Sequence, residues 1–128
     1  NITDGLVVYP KVIEQRVMRE LPFMATENIM MRAVEKGGNR QELHEALRGH
    51  SMAAADVVKK EGGENDLVKR IAADPIFQIT EEEIRSVLKP ENYTGRAPEQ
   101  VEEFLRGFVR PVLEKNKELL GEHVELSV

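Results

Sequence analysis

The segment that decides the fold is NRQELHEALRGHSMAAADVVKKEGG, residues 39–63. Its inward-facing positions recur every three or four residues, which is the spacing of one face of an α-helix. Those positions are Leu43, Leu47, His50, Ala54, Val57 and Val58. Asn39 is a favoured N-cap, Glu42 completes a capping box, and Gly62-Gly63 ends the helix. Because a helix hides its apolar stripe against other elements, this segment predicts a helical domain.

Three shorter helices are predicted around this one. The first begins at Pro22, a residue favoured in a first turn, and stops at Gly37-Gly38. Another is capped by either Asn65 or Asp66 and ends at Asp74-Pro75. The last is capped by Thr80 with Glu83 at the third position, a second capping box, and ends near Leu88, before Pro90.

The N-terminal segment, from about Ile2 to Leu21, has a helical spacing of its own. Pro10 within it either kinks the helix or marks its first turn. Pro22 disfavours helix at the residue before it, so we place a boundary between Leu21 and Pro22. The apolar positions are Ile2, Leu6, Tyr9, Ile13 and Val17.

The C-terminal part is predicted to hold a loop over Glu91–Ala97 and a helix over Pro98–Leu120, bent at Pro111. Beyond Gly121 the residues alternate in polarity, which indicates a short extended tail. The expected fold class is therefore all-α. The predicted inner face of the helix is Val101, Phe104, Leu105, Phe108 and Val112, and the inner face of the tail is Val124, Leu126 and Val128.

Composition narrows the class of protein. The 128 residues are 41% hydrophobic and 32% charged, which is typical of a globular chain. The net charge of −5 argues against a nucleic-acid binder, and the absence of cysteine excludes disulfides and thiolate metal sites. No apolar run approaches the roughly 20 residues that span a bilayer. The chain lacks an initiator Met, so we expect the natural N-terminus to lie elsewhere.

No residue pattern predicts a catalytic, cofactor or metal site. His44 and His50 are six positions apart and face different sides of a helix, whereas a helical metal pair needs a spacing of three or four. We interpret His50 as a satisfied core residue and His44 as solvated. Arg40, near a helix N-terminus, and Arg96, in a loop, are interpreted as surface ion-pair partners, and an anion is the alternative for both. The third histidine is His123, and it belongs to no motif.

Two further groups of polar residues are candidates for chemistry. Glu81, Glu82 and Glu83 lie at a helix start, where they favour the positive end of the helix dipole. Thr26, Glu27 and Asn28 interrupt an apolar helix, so they line a cleft or subunit contact, or else face solvent or pair internally. The nearby methionines, Met24, Met30 and Met31, are interpreted as adaptable packing against another element.

Five segments resemble the adenylosuccinate lyase family, particularly the branch that includes the animal enzymes. Together they cover essentially the whole chain in the family's order. They are GLVVYPKVI at residues 5–13, ELPFMATENI at 20–29, GNRQ at 38–41, VKKEGGENDL at 58–67 and YTGRA at 93–97. The resemblance is to the C-terminal part of that family.

The resemblance implies a subunit that is nearly all helical and a bundle of long helices from four subunits, a homotetramer. Residues 1–21 then correspond to the end of the last bundle helix. Residues 22–128 correspond to the small helical C-terminal domain. The implied partners are the remainder of the subunit and the other subunits, and neither nucleic acid nor a membrane is among them.

The family activity implied is cleavage of adenylosuccinate to AMP and fumarate, and of SAICAR to AICAR and fumarate, in purine biosynthesis. It is an acid–base β-elimination in the cytoplasm, without a metal or organic cofactor. The family's serine loop and catalytic histidines have no counterpart here, because Ser51, Ser86 and Ser127 lack that context. No catalytic residue is therefore assigned, and the chain alone is expected to be inactive. The alternative is a stand-alone helical protein-interaction module.

Overall fold

The chain is seen here in a computed structural model that describes residue 3 and residues 5–121. These residues form α-helices and shorter helical turns, and no β-strand occurs among them, so the all-α prediction is confirmed. The predicted extended tail and His123 lie outside the described residues. The α-helices are α1 (Pro10–Met24), α2 (Thr26–Glu35), α3 (Arg40–Lys60), α4 (Leu67–Ala73), α5 (Glu81–Val87), α6 (Ala97–Phe104) and α7 (Arg110–Lys115).

The chain divides after Pro90 into two units. In the first unit α2 packs on α3 and α5, α4 packs on α3 and α5, and α1 contacts α2 and α4. Phe77, from the loop between α4 and α5, is fully buried at the centre of this apolar core. The other buried apolar residues are Leu21, Ala25, Ile29, Met30, Ala33, Leu43, Leu47, Ala54, Leu67, Val68, Ile71, Ile79, Ile84 and Leu88.

The predicted caps fix where three of these helices begin. Asn39 caps α3, and its Oδ1 accepts hydrogen bonds from the backbone N–H groups of Gln41 (2.9 Å) and Glu42 (3.3 Å). At α5 both halves of the capping box form between Thr80 and Glu83. Both predicted candidates lie at the start of α4. Asp66 occupies the N-cap position, whereas Asn65 Oδ1 accepts from the Leu67 N–H at 3.1 Å.

The predicted end of the first helix at Leu21 and the predicted start of the next at Pro22 are wrong. Helix α1 continues through Pro22 to Met24, and α2 begins at Thr26. An internal proline removes one backbone donor, here the partner of the Met18 carbonyl, and that loss is tolerated close to a helix end. Leu21, Pro22 and Ala25 are all buried, so packing of this turn into the core stabilises the helical conformation.

The predicted starts and ends of the outer helices also change. Pro10 is the first residue of α1, so it marks a first turn and Leu6 lies before the helix. The last predicted helix is divided by a π-helical turn, Leu105–Val109, which ends two residues before Pro111. It stops at Lys115, and a 3₁₀ turn, Lys117–Leu119, follows it. Pro111 has no backbone N–H to donate within the helix, and a π turn is one way in which a helix accommodates such an interruption.

The second unit holds α6, the π turn and α7, which follow one another without a gap from Ala97 to Lys115. The Phe104 and Phe108 rings stack with their centroids 5.7 Å apart. None of the described residues of this unit is buried, and Leu105 and Val109 are half-buried. The predicted inner face is therefore an exposed stripe within this unit. The loop before α6 contains a 3₁₀ turn, Pro90–Tyr93, and a turn at Gly95.

Candidate functional site

The histidines of α3 do not form a reactive centre. His44 is exposed, whereas His50 is half-buried and its Nε2 lies 2.8 Å from Asp74 Oδ2, at the end of α4. The hydrogen bond to His50 lowers the pKa of the Asp74 carboxyl. The His50 ring also lies 6.0 Å from the ring of Phe77. His50 has partners, as the interpretation requires, but it is half-buried and does not belong to the buried core. Its contacts join α3 to the loop that follows α4.

Several surface residues that are candidates for anion or metal chemistry have nearby protein partners. Arg40 Nη2 lies 3.3 Å from Glu27 Oε1, and Arg96 Nη2 lies 3.2 Å from Glu103 Oε1. Glu81 Oε1 accepts two hydrogen bonds from Arg85. Among the described residues no group of three or more His, Cys, Asp or Glu side chains is arranged to hold a metal ion.

Lys36 links the end of α2 to the start of α5. Its Nζ donates to the Gln78 carbonyl oxygen at 3.0 Å and to Glu83 Oε1 at 2.6 Å. Glu83 Oε2 also accepts from the Thr80 N–H at 2.8 Å. The hydrogen bond from Lys36, helped by that from Thr80, lowers the pKa of Glu83 to about 2. Gln78 has a φ of 51°, so Lys36 binds the carbonyl of a residue in the left-handed region.

The polar residues that interrupt the apolar pattern lie where α1 passes into α2. Thr26 is half-buried, and its hydroxyl donates to the Phe23 carbonyl oxygen at 3.1 Å. Glu27 is exposed and pairs with Arg40, and Asn28 is exposed with a contact of its own. Met30 is fully buried, but Met24 is 60% exposed. The described contacts of Thr26 and Glu27 are internal, and they tie α2 to both α1 and α3.

One side of α1 carries apolar residues that the described residues leave more than half exposed. We name Tyr9, Val12, Ile13 and Met24 the α1 apolar face, and their exposed fractions lie between 53% and 67%. The segment just before the helix continues it with Leu6, Val7 and Val8. Several exposed apolar residues on one side of a helix indicate an interaction site. It is the candidate assembly surface of the chain.

An adjoining side of α1 borders a cavity of about 440 Å³ that reaches α4 and α5, which we name the α1–α4 groove. No local spacing in the sequence predicts this groove, because its cationic residues lie on three separate helices. Its lining residues are Gln15, Arg16, Met18, Arg19, Pro22, Glu64, Asn65, Val68, Lys69, Arg85 and Leu88.

A family model described as the adenylosuccinate lyase C-terminus matches residues 22–104, more than half of the chain. The chain belongs to the adenylosuccinate lyase family. The match begins at the buried turn of α1 and runs through α6. It therefore includes every helix of the core, from α2 to α5.

Curated adenylosuccinate lyases align with the whole chain. The protein of Saccharomyces cerevisiae is 54% identical over 129 residues, that of Schizosaccharomyces pombe 45%, and that of Schistosoma mansoni 40%. The chain spans about 27% of the length of each of these relatives. Within the described part of the chain, no helix is long and apolar enough to cross a membrane.

Proposed function

We propose that this chain is the C-terminal segment of an adenylosuccinate lyase and that its role there is structural. The observation that carries the proposal is the family match over residues 22–104, supported by relatives of that name that align with the whole chain. The same match argues against the alternative, a stand-alone helical interaction module, because the relatives are several times longer than this chain.

The proposed reaction of the whole enzyme is cleavage of adenylosuccinate to AMP and fumarate, and of SAICAR to AICAR and fumarate. A base removes a proton from the carbon beside a carboxylate, the C–N bond breaks, and an acid protonates the leaving nitrogen. The electron pair of the C–H bond becomes the double bond of fumarate. Such an elimination needs no electron acceptor, and we propose that it proceeds without a metal or organic cofactor.

We assign no catalytic residue to this chain. The best acid–base pair among the described residues, His50 and Asp74, joins two helices and is half-buried. A catalytic pair has to meet a substrate in a cleft, and neither residue lines the α1–α4 groove. The base and the acid are therefore expected in the part of the enzyme outside this chain.

The α1 apolar face supports a role in assembly. We propose that residues 1–21 complete a bundle helix of a cytoplasmic homotetramer and that residues 22–128 form the C-terminal domain beside it. The exposed Tyr9, Val12 and Ile13 are then covered by the rest of the enzyme. Burial of such side chains contributes about 1.5–3 kcal/mol each, which is enough to stabilise an association.

The polar turn at the start of α2 supports a second structural role, in which the C-terminal domain steadies the end of the bundle. Thr26 ties α2 to the last turn of α1 through the Phe23 carbonyl. We expect the double variant Thr26→Ala/Asn28→Ala of the full-length enzyme to lose tetramer stability and turnover. Unchanged tetramer dissociation and unchanged turnover would remove this role.

The activity is tested by following fumarate release from adenylosuccinate, with full-length enzyme and with the isolated 128-residue chain. We expect turnover from the full-length enzyme and none from the chain alone. Turnover from the pure chain would contradict the assignment of catalysis to the rest of the polypeptide. Absence of turnover from a folded full-length tetramer would contradict the proposed function itself.

A further inference from the structure

The α1–α4 groove gathers cationic side chains from three helices. Arg16 and Arg19 come from α1, Lys69 from α4 and Arg85 from α5. The acidic side chains nearby are Glu64 in the lining, Glu81, which binds Arg85, and Asp66, which bonds Arg70 and also attracts Lys69 electrostatically. Positive charge is therefore in excess at this place, although the chain as a whole has a net charge of −5.

These cations lack the partners that their neighbours have. Within the described part of the first unit, every other arginine forms a salt bridge, whereas Arg16 and Arg19 form none. Lys69 also forms no salt bridge with a described residue, and Arg85 keeps its Nη1 donors after binding Glu81 through Nε and Nη2. Like charges that converge without counter-charges repel one another, and an anion placed between them removes that repulsion.

The groove also has the size and the lining of a small-molecule site. Its volume of about 440 Å³ falls within the range of roughly 300–1,000 Å³ that is usual for such sites. Apolar lining comes from Met18, Pro22, Val68 and Leu88. Asn65 adds a polar group whose position is fixed, because its Nδ2 donates to the Arg19 carbonyl oxygen at 2.8 Å.

The groove adjoins the α1 apolar face. Successive residues of an α-helix are rotated by about 100° around its axis. On that rotation Met18 and Pro22 lie opposite the apolar face, whereas Arg16 lies on the same side as Val12 and Ile13. A protein surface that packs on the apolar face therefore leaves the Met18 and Pro22 side of the groove accessible, and Arg16 lies where the two surfaces meet.

We propose that the α1–α4 groove binds a small phosphate-bearing ligand. Arg16, Arg19 and Lys69 donate to the phosphate oxygens, because guanidinium and ammonium groups form the strong charge-assisted hydrogen bonds that phosphate accepts. The apolar lining, from Met18 to Leu88, contacts the rest of the ligand. A monocarboxylate has one charge, whereas several cations suit an anion with more than one.

The test uses the full-length enzyme that contains this chain, with inorganic pyrophosphate as the probe and ionic strength held constant with chloride. Hydrogen–deuterium exchange is measured by mass spectrometry in peptides that cover residues 15–22 and 64–70. The test variant is Arg16→Ala/Arg19→Ala/Lys69→Ala. The control, Lys59→Ala/Arg106→Ala/Lys115→Ala, removes three exposed cations that are also outside any described salt bridge.

Pyrophosphate is expected to slow exchange in both peptides of the wild type and of the control. In the test variant the concentration needed for half-protection should rise by at least about tenfold, since each lost bond is to a charged group. The proposal is overturned if the wild type shows no protection, if the test variant keeps it, or if the control loses it equally. All three substituted residues are exposed, so circular dichroism of the test variant should match the wild type.

Discussion

Residues 21–88 and residues 97–115 have similar helical patterns but differ in how far their apolar side chains are buried. In the first region, which we name the core region, the apolar stripes of α2 to α5 meet and bury side chains such as Phe77 and Ile29 completely. In the second, the C-terminal rod, Phe104 and Phe108 are 58% and 67% exposed. Periodicity therefore determines that a segment is helical, but the presence of a facing stripe determines whether it is buried.

The largest expected contrast is between two phenylalanines. Phe77→Ala removes a fully buried ring, so the free energy of unfolding of the chain should fall by about 3–5 kcal/mol. Phe108→Ala removes a ring that only stacks on Phe104, and the loss should stay within about 1 kcal/mol. Urea unfolding followed by circular dichroism measures both. An equal loss of unfolding free energy for the two variants would mean that the rod is covered in solution, and it would contradict the difference in burial between the two regions.

Two glycines should respond to alanine in opposite directions. At Gly38 a Cβ would lie 2.6 Å from Leu43 Cδ1 and 3.0 Å from the Ala33 carbonyl oxygen, so Gly38→Ala should destabilise the chain by about 1–3 kcal/mol. At Gly107 in the rod a Cβ would meet nothing within 4 Å. Because alanine favours helix, Gly107→Ala should stabilise by about 0.5–1 kcal/mol. The shift in thermal midpoint gives the sign for each, and shifts of the same sign would contradict the assignment of open space to Gly107.

The helix starts of the two regions should differ by a smaller amount. Thr80→Ala removes the hydroxyl that accepts from the Glu83 N–H, and it should cost about 1 kcal/mol of unfolding free energy. Arg96 precedes α6 without a side-chain cap, and its exposed ion pair with Glu103 should contribute at most about 1 kcal/mol. A loss for Arg96→Ala as large as that for Thr80→Ala, measured by the same urea titration, would show that α6 has a cap of comparable strength.

The smallest expected effect is a dependence on pH in the core region. The pKa of Glu83 is lowered from 4.5 to about 2, first by Lys36 and then by the Thr80 N–H. A lowered folded-state pKa gives stability that is complete above pH 4.5 and is lost as the pH falls toward 2. The urea midpoint of Lys36→Met should therefore decline less than that of the wild type over this window.

Glu82→Gln is the matched control for this titration, because Glu82 lies beside Glu83 and is exposed. It should retain the wild-type decline. If Lys36→Met and the wild type declined in parallel, the contact between Lys36 and Glu83 would not hold in solution.

Local signals predicted the core region well. Asn39 and Thr80 predict helix starts because their side chains can accept hydrogen bonds from the free N–H groups of a first turn. Both residues are N-caps in the structure. Gly37, with a φ of 99°, follows α2 because glycine alone adopts that conformation without strain. Pro22 misled the prediction because burial of Leu21 and Ala25 outweighs a single missing donor, and burial is not visible in a local pattern.

The residues that meet in the candidate sites lie far apart in the sequence. The pairing of His50 with Asp74 spans 24 residues, and the link from Lys36 to Glu83 spans 47. The α1–α4 groove joins Arg16 to Arg85 in the same way. No spacing rule relates such residues, so their meeting follows only from the packed arrangement of the helices.

The connection between α1 and α2 is short and couples the orientations of the two helices. A single residue, Ala25, separates the two helices; it is fully buried, and the Thr26 hydroxyl bonds back across it to Phe23. With 15 residues at about 1.5 Å each, α1 is roughly 22 Å long, and its connection to the core is a single buried residue. A surface that binds Tyr9 and Ile13 is therefore expected to constrain the orientation of the core as well, because α1 contacts both α2 and α4.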